Sequence, residues 1–443
     1  MYIVKQAMLK GCDEAVASVF SYRISYLKIA NSKVDSIVTK DERGGSLFVS
    51  QGKRVFSTNI DTLSGPNVAA AIRNAKRNLA HLEPKDDYYG IASGPFKYRK
   101  QEACDSRIRD YDNDTISDIA QAAINEAAAN GADNVAGTLI LSRSSETIAT
   151  SKGVHQAEDS AHARLSIRAF VNGLSAQKIA ASKRLKDLGP AALGRTTAEL
   201  ASMADSNGKV TSGTYDIIYM QQPAGLLFSM VNEMACVGNV ETGGFLMGKL
   251  GKTIADKKLE IYDDGASSKI ISASRFDAEG CPTRKTQLIG DGRLLTYLHN
   301  NSTAAKYKTK STGNAGLVMP SPNALVLEHK NTSKSIDRLI SGIDKGILVT
   351  NTWYTRFSNY RSGDFSTVPR DIAVYIEKGR PKFAIRQVDV GSATGIRISE
   401  NVFRMLKSTV RSANDTIQTA SWDSDGYFVT PSVLVTGVKV TTA

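Results

Sequence analysis

Five histidines (His81, His155, His162, His299 and His329) and four cysteines (Cys12, Cys104, Cys236 and Cys281) are the side chains here best suited to metal or nucleophile chemistry. A zinc site needs imidazole, thiolate or carboxylate donors, usually three from protein with one position left for water. No Cys-x-x-Cys pair occurs, no His stands at ligand spacing from a Cys, and no His lies between Ala163 and Leu298. The cysteines read as buried or incidental thiols of a reducing compartment. Cys281, in the turn Gly280-Cys281-Pro282, is the one expected to be accessible. Glu233 and Glu241 would need a second group to share a proton or a metal. Only Cys236 stands at helical spacing from Glu233, so both glutamates read as structural. His299 reads as a packed or surface histidine. No Gly-x-Ser-x-Gly elbow supports a serine hydrolase.

The acidic turns Asp263-Asp264-Gly265 and Asp277-x-Glu279-Gly280 could offer oxygens to a hard cation. Their spacing is not that of a calcium loop. Turn chemistry explains them better: Asp forms an Asx bond and Gly supplies positive φ. Gly238, Gly243, Gly244 and Gly248 form a glycine-rich loop. It lacks the Gly-Lys-Ser/Thr ending of a phosphate cradle, because Leu250 follows Lys249. It reads as a mobile or close-packed loop.

A chain of 443 residues with 41% hydrophobic content can bury two or three domains. No apolar run approaches 18 residues, which excludes a transmembrane helix. The N-terminus lacks an apolar secretory core, so a cytoplasmic protein is expected. The net charge of +12 admits nucleic acid or an acidic partner. The basic clusters Lys97-Tyr98-Arg99-Lys100 and Lys306-Tyr307-Lys308-Thr309-Lys310 are short, however, and match no nucleic-acid-binding motif. They read as solvated faces, with an acidic peptide or an acidic partner subunit as the functional alternatives.

The elements that would position these groups follow from periodicity. Ala7, Met8, Ala15, Val16 and Val19 predict a helix over residues 1–20. Strands are predicted over 22–60, with a hairpin at Gln51-Gly52-Lys53. A helix opens at Pro66, capped by Ser64, with Val68, Ala71, Ile72, Ala75 and Leu79 on its apolar face. A second runs over 114–130, a third over 191–205 with Gly194 as a weak spot, and strands over 135–150 and 161–172. Asp205-Ser206-Asn207-Gly208 is a turn cluster and the expected boundary between domains 1–207 and 208–443. Beyond it, Tyr215–Met220 reads as a buried strand and 223–236 as a helix buried on most sides. Strands and turns dominate from 245, with helices at about 333–346 and 401–411. No repeat of 20–50 residues is apparent. The class is α+β: an N-terminal mixed α/β domain followed by a β-rich C-terminal domain.

The C-terminal half carries a specific pattern. It runs Lys249-Leu250-Gly251-Lys252, Ile261-Tyr262-Asp263-Asp264-Gly265 and Phe276-Asp277-Ala278-Glu279-Gly280-Cys281-Pro282-Thr283. It continues through Leu288-Ile289-Gly290-Asp291-Gly292-Arg293 and Ser311-Thr312-Gly313-Asn314-Ala315-Gly316 to Arg361-Ser362-Gly363-Asp364. This resembles the TldD/PmbA (TldE) family, and implies that family's fold over nearly the whole chain. In the family, TldD-type chains carry His-Glu-x-x-x-His and are zinc peptidases. TldE/PmbA-type chains lack the motif and pair with TldD. Counting back without gaps from Gly251, the first His, the Glu and the second His fall on Leu227, Phe228 and Asn232. Leu and Phe offer no lone pair, and no base stands where the family's Glu would act on metal-bound water. TldD-type chains also supply a Cys near the C-terminus, whereas here the region around Ser421-Trp422 has none.

The resemblance therefore implies a TldE/PmbA-like non-catalytic subunit with no zinc of its own. Zinc would reside in a TldD-like metallopeptidase partner, and the pair would take unfolded peptides. Thr312, Gly313 and Asn314 would line the shared cleft through backbone contacts. Self-association of the isolated chain stays open. The rival readings are a peptidase acting alone by another mechanism, and a basic nucleic-acid-binding protein whose affinity falls with salt.

Overall fold

The structure, a computed structural model, describes residues 1–204, 206–385, 395–423 and 426–442. Asp205, part of the expected boundary turn, lies outside the described residues. Residues 14–182 supply a six-stranded antiparallel sheet. Its order is Arg54–Ile60, Lys33–Gln51, Glu14–Ala30, Asn134–Thr150, His155–Val171 and Leu174–Ser182.

The first three of these strands in the chain and the last three are two copies of one plan. Helices Tyr2–Leu9 and Gly65–His81 flank the first copy; Asn113–Ala129 and Pro190–Ala201 flank the second. In each copy an aspartate ties the first strand's start to the second hairpin. Asp13 accepts from Gly52 N at 2.7 Å, and Asp133 accepts from Asn172 N at 2.7 Å. The copies also exchange contacts. Ser32 Oγ accepts from Val135 N at 2.9 Å, and Ser151 Oγ accepts from Ala15 N at 3.0 Å. Arg23 faces Arg143 across the central strand pair, on a local two-fold. The duplicated unit is longer than 20–50 residues, and it lives in hydrogen-bond positions more than in identical residues.

The predicted helix over 1–20 is cut short. The helix is Tyr2–Leu9, Gly11 turns the chain at φ 81°, and a strand begins at Glu14. The misleading signal has a physical cause, for this strand is buried on both faces. Ala15 and Ala17 pack toward the helices Tyr2–Leu9 and Gly65–His81, while Val16 packs against Ile91, Val154 and Phe276. A strand covered on both sides is apolar at consecutive positions and loses its alternation. The Ser64-capped helix forms as expected, with Val68, Ile72, Ala75 and Leu79 buried and Ala71 half-buried, and Gly52 and Lys53 take positive φ in the predicted hairpin turn.

The C-terminal half holds two sheets. Among the described residues one has nine strands, centred on Gly213–Tyr219, Lys345–Asn359 and Val433–Thr442. The other has six, including Leu259–Asp264, Leu325–His329 and Tyr427–Thr430. Between them lies the helix Gln221–Ala235, with Leu227, Phe228 and Val231 fully buried among residues of both sheets. Here the expected helix buried on most sides is found. The helices expected at 333–346 and 401–411 are shorter, Ile336–Ile340 and Val402–Ser408, because strands begin at Lys345 and Thr409.

The two halves are joined by polar contacts. Asp371, fully buried and at φ 60°, pairs with Arg168 and accepts from Ser175 Oγ at 2.9 Å and Asn351 Nδ2 at 3.0 Å. Gly194 has a structural reason. A Cβ there would stand 2.1 Å from the carbonyl oxygen of Ala123, where two helices cross closely. Backbone cannot rotate away as a side chain can, so this clash outweighs the better helix propensity of alanine. Gly194→Ala is expected to lower stability by about 1–3 kcal/mol, measured by urea unfolding.

Candidate functional site

A cleft of ≈ 510 Å³ opens beside the helix Gln221–Ala235. The helix contributes Leu226, Ser229, Asn232 and Glu233, residues one turn apart on one face. The opposite wall comes from Pro322–Leu325 and from Gly426–Phe428. Leu227 and Phe228, where the resemblance places the family's first His and its Glu, are 0% exposed and belong to the apolar core. Asn232, where it places the second His, borders the cleft. Glu233 is exposed on the cleft wall. Glu241 lies elsewhere, paired with Lys306 at 2.7 Å and accepting from Tyr307 OH at 3.0 Å.

Behind the cleft sits Asp263, with no exposed surface. Its Oδ1 accepts from Asn232 Nδ2 at 3.2 Å, Asn323 N at 2.8 Å and Ala324 N at 3.1 Å. Its Oδ2 accepts from Asn314 Nδ2 at 2.6 Å and Asn323 Nδ2 at 3.0 Å. Burial raises its pKa, and the amides of Asn314, Asn323 and Asn232 oppose that rise. The carboxylate thus ties the cleft helix to the loop 311–324.

The expected cleft residues Thr312, Gly313 and Asn314 lie in that loop and are absent from the cleft lining just described. Thr312 Oγ1 accepts from His299 N at 2.8 Å. Gly313 sits at φ 72° against the Pro282 carbonyl, and Asn314 is 1% exposed, with its amide on Asp263. They shape the cleft's support. Tyr427, Ser229 and Asn323, which do line it, carry no motif or periodic signal. Tyr427 OH lies 3.3 Å from His162 Nε2, so an N-terminal strand reaches the cleft wall.

The acidic turns behave as turn chemistry predicts. Asp264 Oδ1 accepts from Ala266 N and Ser267 N, and Asp277 Oδ1 accepts from Glu279 N and Cys281 N. Gly280 takes φ 78°. Gly265 serves a different purpose, since a Cβ there would strike Asn323 at 2.7 Å. In the glycine-rich loop, Gly238 and Gly244 pack closely against Met319 and the Asn239 carbonyl, while Gly243 and Gly248 take positive φ. Cys281 is buried, contrary to expectation, because its turn faces inward under Tyr98, whose hydroxyl donates to Gly280 O at 2.7 Å. Burial pushes its thiol up. Cys104 is the partly exposed cysteine.

Among the described residues no group of three or more His, Cys, Asp or Glu is placed to hold a metal ion. Leucine and asparagine, where the resemblance places the family's two His, and phenylalanine, where it places the Glu, do not fit a zinc site.

A family model described as the PmbA/TldA metallopeptidase C-terminal domain matches residues 212–442. The chain belongs to the PmbA/TldD family. An uncharacterised protein of Methanocaldococcus jannaschii is 23% identical over 444 residues, covering 98% of each chain. A metalloprotease PmbA homolog of Buchnera aphidicola is 28% identical over 236 residues, covering 53% of this chain and 49% of that one. That match thus spans about half of the metalloprotease relative's length. The solved structure of TldE from Thermococcus kodakarensis superposes with a TM-score of 0.84 at 21% identity, covering 99% of both chains. At that identity the likeness speaks for the fold, and the fold is that of this family.

Glu279 carries a pH dependence. It is 5% exposed and accepts from Ala92 N at 3.2 Å. Burial, then the neighbouring Asp277, pushes its pKa up to about 8 from 4.5. The folded chain therefore keeps a proton that the unfolded chain releases near pH 4.5. This contribution is complete below that pH and lost as pH rises to about 8. Glu279→Gln is expected to gain stability relative to the unsubstituted chain as pH rises from about 5 to about 9. Urea unfolding across that range measures it.

Proposed function

We propose that this chain is a TldE/PmbA-like, non-catalytic subunit of a two-chain zinc metallopeptidase acting on unfolded peptides. The observation that carries the reading is the cleft-facing side of the helix Gln221–Ala235. It presents Leu226, Ser229, Asn232 and Glu233, a set that cannot complete a zinc site with three protein donors.

What the chain supplies instead is a preformed wall. Leu226, Pro322, Leu325 and Phe428 give the cleft an apolar surface, and Ser229, Asn323 and Glu233 give it polar groups. An extended peptide bound mainly through its backbone would be accepted with little sequence preference. A TldD-like partner would bring the metal to a peptide held across both chains.

The proposed site of action is the cytoplasm. The four cysteines are free, and among the described residues no helix is long and apolar enough to cross a membrane.

The test is zinc content and peptide hydrolysis of the purified chain, alone and mixed with a TldD-like chain. Zinc and activity are expected in the mixture only. Stoichiometric zinc, or chelator-resistant hydrolysis, in this chain alone would overturn the proposal.

A further inference from the structure

One of the short basic clusters has a place in the fold that a solvated face does not explain. Arg99 lies in the extended segment that crosses from the N-terminal sheet toward the C-terminal half. It lines a pocket of ≈ 240 Å³ together with Glu158, Lys183, Lys269 and Arg275. The walls come from both halves: the strands His155–Val171 and Leu174–Ser182 with the turn that follows, and the loop around 268–275.

Arg99 Nε and Nη2 are buried with no hydrogen-bond partner. Buried guanidinium N–H groups left unpaired are costly, and such groups almost always meet an acceptor. Lys183 adds a second cation. Its Nζ donates to Ala273 O at 3.2 Å, and burial lowers its pKa, with the Arg99 charge lowering it further and Glu158 raising it. Arg275 braces the wall, its Nε donating to Arg99 O at 2.9 Å and its Nη1 to Ala157 O at 2.9 Å.

Four carboxylates also line the pocket, Glu102, Glu158, Asp159 and Asp187, and two of them are held within its wall. Glu158 Oε2 accepts from Ser274 Oγ at 2.6 Å and Arg275 N at 2.7 Å. Glu102 faces Arg184 at 3.9 Å, with both side chains more than half exposed. Arg99 and Lys183 thus line a cavity in which six cationic side chains outnumber four carboxylates.

We propose that this pocket binds a small oxyanion, a phosphate or a carboxylate, between Arg99 and Lys183. The planar fork of Arg99 suits two oxygens of either group. The size of the cavity suits a small ion or the acidic end of a larger ligand. Because the walls belong to both halves, the bound anion would clamp the N-terminal sheet to the C-terminal loop. This site is separate from the peptide cleft, with which it shares no lining residue.

The experiment titrates the full chain with inorganic phosphate and, separately, with citrate, at constant ionic strength against chloride. Calorimetry and the unfolding midpoint are both read. Saturable binding of one equivalent, with a raised midpoint, is expected for at least one anion. The preferred arm identifies phosphate or carboxylate as the ligand group. Arg99→Gln and Lys183→Met, made separately, are each expected to weaken binding by about tenfold or more, while Arg99→Lys retains part of it. No saturable binding of either anion to the unsubstituted chain would overturn the proposal. So would unchanged binding in whichever of these variants folds.

Discussion

A single buried carboxylate organises the C-terminal half. Asp263 stands at the end of a core strand and gathers donors from the cleft helix and from the loop 311–324 that leads into the strand Leu325–His329. A charge taken fully out of water is tolerated only when such donors surround it. The donors in turn fix their own segments. Asn232 cannot turn, Asn314 and Asn323 pin an otherwise polar loop, and the cleft wall formed by Pro322–Leu325 stays where that loop leaves it. Asn232 and Asp263 therefore connect helix and sheet at the place where TldD-type relatives are expected to use metal ligands.

The N-terminal half supplies a rigid platform for this arrangement. Its two copies lock each other through Ser32 and Ser151, each bonding to the first strand of the other. From this platform Arg168 and Ser175 reach the buried Asp371, and His162 reaches Tyr427 at the cleft. Apolar packing continues across the junction, where Val171, Leu200 and Ala201 join Ile218, Leu348 and Ile372 in one cluster. The cleft wall is thus positioned from both ends of the chain.

Much of this was legible where the signal is local. The Ser64 cap, the apolar stripe of the helix Gly65–His81, the Gln51-Gly52-Lys53 hairpin and the Asx turns at Asp264 and Asp277 each depend on residues a few positions apart. The first strand was misread because both of its faces are covered. The cleft itself was not legible. Asp263 meets Asn232, Asn314 and Asn323 across long stretches of chain, and a side-chain hydrogen bond at that separation leaves no period in the sequence. The same holds for Arg99, whose cluster looks like an ordinary charged surface until the loop around 268–275 folds over it. The family pattern identified the lineage, whereas only the three-dimensional arrangement separated Leu227 and Phe228 in the core from Leu226, Ser229 and Glu233 at the cleft.

The central claim is that the cleft helix is held by apolar packing and by the Asn232–Asp263 contact, with no structural need for a metal. Metal that stabilises a fold contributes its binding free energy to stability, so removing it lowers the unfolding midpoint. The most direct measurement is urea unfolding of the purified chain with and without a zinc chelator. The account predicts the same midpoint in both. A midpoint that falls with chelator and returns with added zinc would contradict it.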